Sequence, residues 1–274
     1  MLTYPSSALK GLAGAPKGLA GAPKGLRRAP KGLSGALKKL CGDAVYGLLH
    51  LFYPLNCGAC GAVMGGGERL FCLACEADLP ELGYHRLAAG DHPMARRFWG
   101  RLHLEGVWAC WAMKSAGPVR ELLHRLKYSN RPDLARGCGR FYGETLVRDG
   151  ALVGIQAIVY VPMTMAKESA RGYNPAREIA LGLADASGLP VQDKLLLRLS
   201  GGKTQTHKDR FERWESVRQL YAPGPGLQRL DSSLYPHLLL VDDVMTTGAT
   251  FEACGAHLTE AGFKLTVVAL AAAE

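Results

Sequence analysis

The stretch from His237 to Ala273 constrains the fold more than any other part of the chain. Its apolar run, Leu238 to Val241, is short and continuous, as in a strand covered on both faces, and it ends on two carboxylates, Asp242 and Asp243. A turn-forming run follows, Thr246-Thr247-Gly248-Ala249-Thr250, then a helical pattern, ATFEACGAHLTEAG, and a second apolar run, KLTVVALAA. Strand, turn, helix and strand in that order make the βαβ unit of a parallel sheet.

The same alternation extends upstream. IQAIVYVP reads as a strand and MTMAKESARGYN as a polar loop. PAREIALGLADASG reads as a helix, with Asn174 as N-cap, Pro175 in its first turn and Gly188 at its end. LPVQDKLLLRL reads as a strand, and SGGKTQTHKDRFERWESV as a long basic loop with some helix. GVWACWAM (106–113) is a further strand, and 117–150 holds two helices, one starting at Pro118 and one near Pro132. The expectation is an α/β domain over 106–274, a mainly parallel sheet with flanking helices.

A second unit precedes it. Cys57-Gly-Ala-Cys60 and Cys72-Leu-Ala-Cys75 form a CxxC-x11-CxxC pattern. Two thiolates two residues apart grip one face of a tetrahedral ion, and four of them suit Zn2+ better than a harder cation. Iron–sulfur ligation and thiol redox chemistry are the alternatives. A closed four-cysteine site leaves no position for catalysis, so a structural ribbon is expected, within a 40–85 segment that begins with a helix. The lone cysteines Cys41, Cys110, Cys138 and Cys254 read as core residues.

The chain carries a formal charge of +9, but the charge is unevenly placed. Of 33 Lys and Arg, eight fall in residues 1–39, which hold no acid; the other 25 nearly balance the 24 acids. The basic tail repeats KGL at Lys10, Lys17, Lys24 and Lys31, with glycine in each repeat and proline in most. Those residues oppose a helix, so a disordered low-complexity tail is expected over 1–39. An expanded repeat and a start placed too far upstream both produce such a tail, and its composition also admits a mitochondrial-type presequence. The sequence shows no secretory segment and no apolar run of transmembrane length, so a cytoplasmic protein is expected.

At the carboxyl end of a parallel strand, ligands bind. Backbone N–H groups of 246–250, the positive end of the following helix and the threonine hydroxyls together cradle a phosphate monoester. Asp242 and Asp243 lie just ahead of that cradle, where they accept hydrogen bonds from vicinal hydroxyls. The pair suits a sugar phosphate. The plain alternative is an acidic strand end that caps the next helix.

LLLVDDVMTTGAT resembles the phosphoribosyl pyrophosphate (PRPP) motif of type I phosphoribosyltransferases. The resemblance gives Asp242 and Asp243 to the ribose hydroxyls, and Thr246, Thr247, Gly248, Ala249 and Thr250 to the 5′-phosphate. The order of a four-cysteine ribbon, ELLHRLKYSNRPDLAR, Val161-Pro162 with a loop ending RGYN, and KTQTHKDRFERWESV before the acidic pair resembles the ComF family, in its ComFC/GntX-like branch. That resemblance covers about 45–274. It implies that Lys167 and Arg171 contact pyrophosphate, and that Lys203, Lys208 and Arg210 belong to a flexible loop that closes over it. It further implies Mg2+ bound with PRPP, and a place in DNA uptake or nucleic-acid handling. An active phosphoribosyltransferase with an unknown acceptor is the second reading. His124, Arg125, Lys127, Arg131 and Arg136, with Tyr128 among them, present a basic stretch suited to single-stranded DNA or, equally, to a solvated helix face.

Overall fold

The computed structural model describes residues 55–65, 67–88, 93–200 and 218–273. The repeat tail expected over 1–39, the helix expected at the start of the 40–85 segment with Cys41, and the loop cations Lys203, Lys208 and Arg210 lie outside the described residues. Pro54–Glu274 forms one compact unit, to which the following description applies.

Four parallel strands form its sheet, in the order β1 (Gly106–Met113), β6 (Lys264–Ala273), β5 (His237–Met245) and β2 (Ala157–Tyr160). A separate antiparallel pair joins β3 (Leu196–Arg198) to β4 (Tyr221–Pro223). The inner strands β5 and β6 are apolar along most of their length because both faces are covered. β5 runs on through the acidic pair to Met245.

Alternation along each strand divides the core into two layers. Leu239 and Val241 pack with α3 (Pro118–Tyr128), α4 (Pro132–Arg148), α6 (Pro175–Ser187) and the cysteine ribbon, which includes α1 (Leu73–Asp78). Leu238 and Leu240 pack with α7 (Ala249–Glu260), the β3–β4 pair and the short α2 (Pro93–Arg96). The α/β architecture expected from the sequence is the one observed. One expected loop is instead a helix: Met165–Arg171 forms α5, started by the Thr164 side chain accepting from Lys167 N–H and ended by Gly172 at φ 87°. It has no apolar stripe, which is why periodicity did not reveal it.

The helix predicted to start at Asn174 keeps its cap, with Asn174 Oδ1 accepting from Ala176 N–H at 3.0 Å. That helix, α6, lies against α4 at glycine-mediated contact. A Cβ added at Gly182 would sit 2.0 Å from the Arg136 carbonyl oxygen, and one at Gly139 would sit 2.1 Å from that of Ile179. Both obstacles are backbone and cannot rotate away. Gly182→Ala is therefore expected to cost about 3 kcal/mol, a fall of roughly 6–12 °C in Tm. An unchanged midpoint by calorimetry would contradict this helix–helix contact.

Candidate functional site

The turn between β5 and α7 sits at the carboxyl end of the sheet. Period-two alternation sends its two acids to opposite faces. Asp243 lies on the α3 side, where its Oδ2 is 3.1 Å from Lys127 Nζ. Asp242 lies on the other side, and its Oδ1 accepts from Asp243 N–H at 2.8 Å. Burial, and then repulsion from Asp243, pushes the Asp242 carboxyl well above the usual range; Lys127 and Arg198 oppose the rise. Asp242 thus stands where its charge is disfavoured, beside an acid paired with a lysine.

Asp242, Asp243 and Thr250 line a cleft of about 280 Å³ together with Lys127, Lys167, Arg171, Asn174, Arg198 and Tyr221. Lys167 and Arg171 are four apart on α5, so one helix face carries both into the cleft. Thr246 and Thr247 are exposed on the turn that leads to it. Gly248, at φ 84°, is the N-cap of α7 and brings no side chain to satisfy the helix's first N–H groups. A Cβ at Gly248 would lie 2.8 Å from the Phe98 ring, so glycine is required there by both conformation and space. Thr247 Oγ1 accepts from Ala249 N–H at 3.4 Å. The start of α7 thus has glycine as its N-cap and stands next to the acids and cations of the cleft.

Sequence reasoning had no signal for Arg198 and Tyr221. Arg198 stacks its guanidinium 4.9 Å from the Tyr221 ring centroid and donates to the Tyr221 hydroxyl. They meet through the β3–β4 pairing, in which Arg198 lies opposite Tyr221. Lys127 was legible as a cation but belongs to the cleft rather than to a separate basic face. Its neighbours are also engaged within the protein. Arg131 pairs with Asp133, and Arg136 pairs with Asp185 at 2.6 Å. Arg125 reaches the ribbon, where its guanidinium crowds Gly61.

In the ribbon, the four sulfurs of Cys57, Cys60, Cys72 and Cys75 lie within 4.8 Å of one another. That spacing and four soft donors fit a tetrahedral metal site. Cys72 N–H donates to Cys57 Sγ at 3.3 Å, and Ala62 N–H to Cys60 Sγ at 3.5 Å. Burial raises the Cys57 thiol, but N–H donors led by that of Cys72 outweigh it and bring the group down to about 6. Burial and then the neighbouring thiols push Cys75 up. Phe71, between the two cysteine pairs, packs edge-on against buried Trp111 at 5.6 Å and Phe141 at 5.9 Å. The cluster can hold a metal, and that metal would fix the ribbon to the core. Cys110, Cys138 and Cys254 are free and buried, as expected of core residues.

No protein-family model matches the chain. Over 136 residues it is 26% identical to DNA utilization protein YhgH of Salmonella typhimurium and, equally, to that of Salmonella typhi. The matched region is 48% of this chain and 57% of each relative, so the chain spans little more than half the length of the relatives it matches. Among solved structures, the allosteric regulatory enzyme of purine biosynthesis is similar over 48% of this chain and 25% of that one, at 20% identity and a TM-score of 0.32. Among the described residues, no helix is long and apolar enough to cross a membrane.

Proposed function

We propose that this chain binds PRPP in the cleft at the end of β5 and acts as a cytoplasmic ComF-like, phosphoribosyltransferase-type protein in DNA uptake or handling. The carrying observation is the convergence of Asp242, Asp243, Thr250, Lys127, Lys167, Arg171 and Arg198 on one cleft beside a helix start whose N-cap is glycine. Acids for ribose hydroxyls, helix N–H groups for the 5′-phosphate and cations for the diphosphate are the three groups PRPP requires. Mg2+ would arrive with the diphosphate and keep most of its ligands from phosphate and water. The four-cysteine ribbon is assigned structural Zn2+. The relatives' description as DNA utilization proteins supports the nucleic-acid role.

Titration of PRPP with Mg2+ into the full chain is expected to give saturable binding, with ribose 5-phosphate and pyrophosphate each competing for part of the site. Absence of saturable binding to the wild type would refute the proposal. Release of pyrophosphate with any member of a panel of bases and amines would make the same cleft a working phosphoribosyltransferase site.

A further inference from the structure

We infer that the groove between Ala95 and Val107 is a stacking site for single-stranded nucleic acid, with Trp99 as its platform. This deepens the nucleic-acid part of the reading above and rests on it. Trp99 is 62% exposed, whereas Trp108 and Trp111 are 8% and 0% exposed. Its indole borders an open groove of about 610 Å³ whose apolar floor includes Phe98, Leu102 and Val107. The Arg96 guanidinium stands 5.8 Å from the Trp99 ring centroid.

Residues 95–103, Ala-Arg-Arg-Phe-Trp-Gly-Arg-Leu-His, contain three arginines and one histidine and no acid. Arg101 pairs with buried Glu252 at 3.0 Å yet stays 46% exposed. Among the described residues, Glu105 is a partly exposed carboxylate beside this segment, 4.0 Å from His103. An accessible ring flanked by cations suits a base stacked on indole with its phosphates on arginine. The platform is also held firmly. Arg97 donates to the Thr246 carbonyl and, at 2.7 Å, to the Ala273 carbonyl, while Phe98 packs beneath Gly248.

Labelled oligothymidylate binding to the full chain, measured by anisotropy across a salt series, tests the assignment. Trp99→Ala is expected to weaken binding about tenfold or more with the salt slope unchanged, and Trp99→Phe to retain most of it. Arg96→Ala is expected to lower the salt slope by about 0.7, the loss of one phosphate contact on a single strand. Thermal midpoint and PRPP affinity stay at wild-type values in all three. Wild-type affinity in Trp99→Ala overturns the groove assignment and leaves the PRPP cleft untouched. Wild-type protein that binds PRPP but no oligonucleotide overturns it together with the nucleic-acid role. A wild-type dimer that becomes monomeric in Trp99→Ala, or a groove that takes an acidic peptide in place of the oligonucleotide, overturns it as well.

Discussion

Asp243→Asn is expected to weaken PRPP binding at least tenfold, and Asp242→Asn to do so while raising the stability of the ligand-free protein. Hydrogen bonds to a charged group contribute about 1.5–3 kcal/mol, which corresponds to roughly 10- to 150-fold in affinity. The two substitutions differ in the unliganded state because the acids stand in different surroundings. Asp243 is balanced by Lys127 at 3.1 Å, so its amide replaces one member of an ion pair. Asp242 is held above the usual carboxylate range by burial and by Asp243. A carboxyl raised in the folded state keeps a proton there that the unfolded chain has already released. Stability therefore falls as pH rises from about 4 through that raised value, and removing the ionisable group removes the fall. The expected pattern is a higher thermal midpoint for Asp242→Asn at pH 7, with the difference closing below about pH 4. A lower midpoint at pH 7 would contradict a raised Asp242 carboxyl. Stability given up at a binding site in exchange for affinity is a common arrangement in proteins.

The second large effect is expected at the ribbon. Cys72→Ser removes one sulfur from the four-cysteine set, and the chain should then fail to retain the Zn2+ proposed for it. Structural zinc sites contribute about 10–16 kcal/mol of apparent binding free energy in small peptides, so a ribbon this short is not expected to stay folded without its ion. Its unfolding would withdraw Phe71 from Trp111 and Phe141, two edge-on contacts each contributing about 0.5–1.5 kcal/mol beyond their buried area. Elemental analysis should show metal in the wild type and little in the variant, and Trp111 emission should shift to the red as water reaches it. A variant that keeps a full equivalent of zinc would overturn the ligand assignment.

What could be read from the sequence follows from how local each feature is. The strands at 106–113 and 237–243 and the helices begun by Pro118, Pro132 and Asn174-Pro175 announce themselves through apolar runs and cap residues, and each is found there, the second strand running two residues further to Met245. Asp242, Asp243 and Thr250, which line the cleft, were legible as candidates for the same reason: they lie in one uninterrupted segment. Helix α5 escaped because a short polar helix held by Thr164 and Gly172 has no apolar periodicity. Lys127, Arg198 and Tyr221 escaped as cleft residues because each reaches it from a distant element. Nothing near Lys127 in sequence indicates that its partner lies in β5. Period-two alternation does, however, predict that adjacent acids on a strand face opposite ways. Applied to Asp242 and Asp243, that rule accounts for why Asp243 meets Lys127 on the α3 side while Asp242 faces the other way.

Amide hydrogen exchange on the full chain, with and without PRPP and Mg2+, tests the central claim most directly. If the cleft at the end of β5 holds the ligand, exchange should slow at residues 246–251, where helix-end N–H groups take the 5′-phosphate, and across 163–172, where Lys167 and Arg171 take the diphosphate. Saturating PRPP that leaves both segments unchanged, or protects only residues elsewhere, would contradict it.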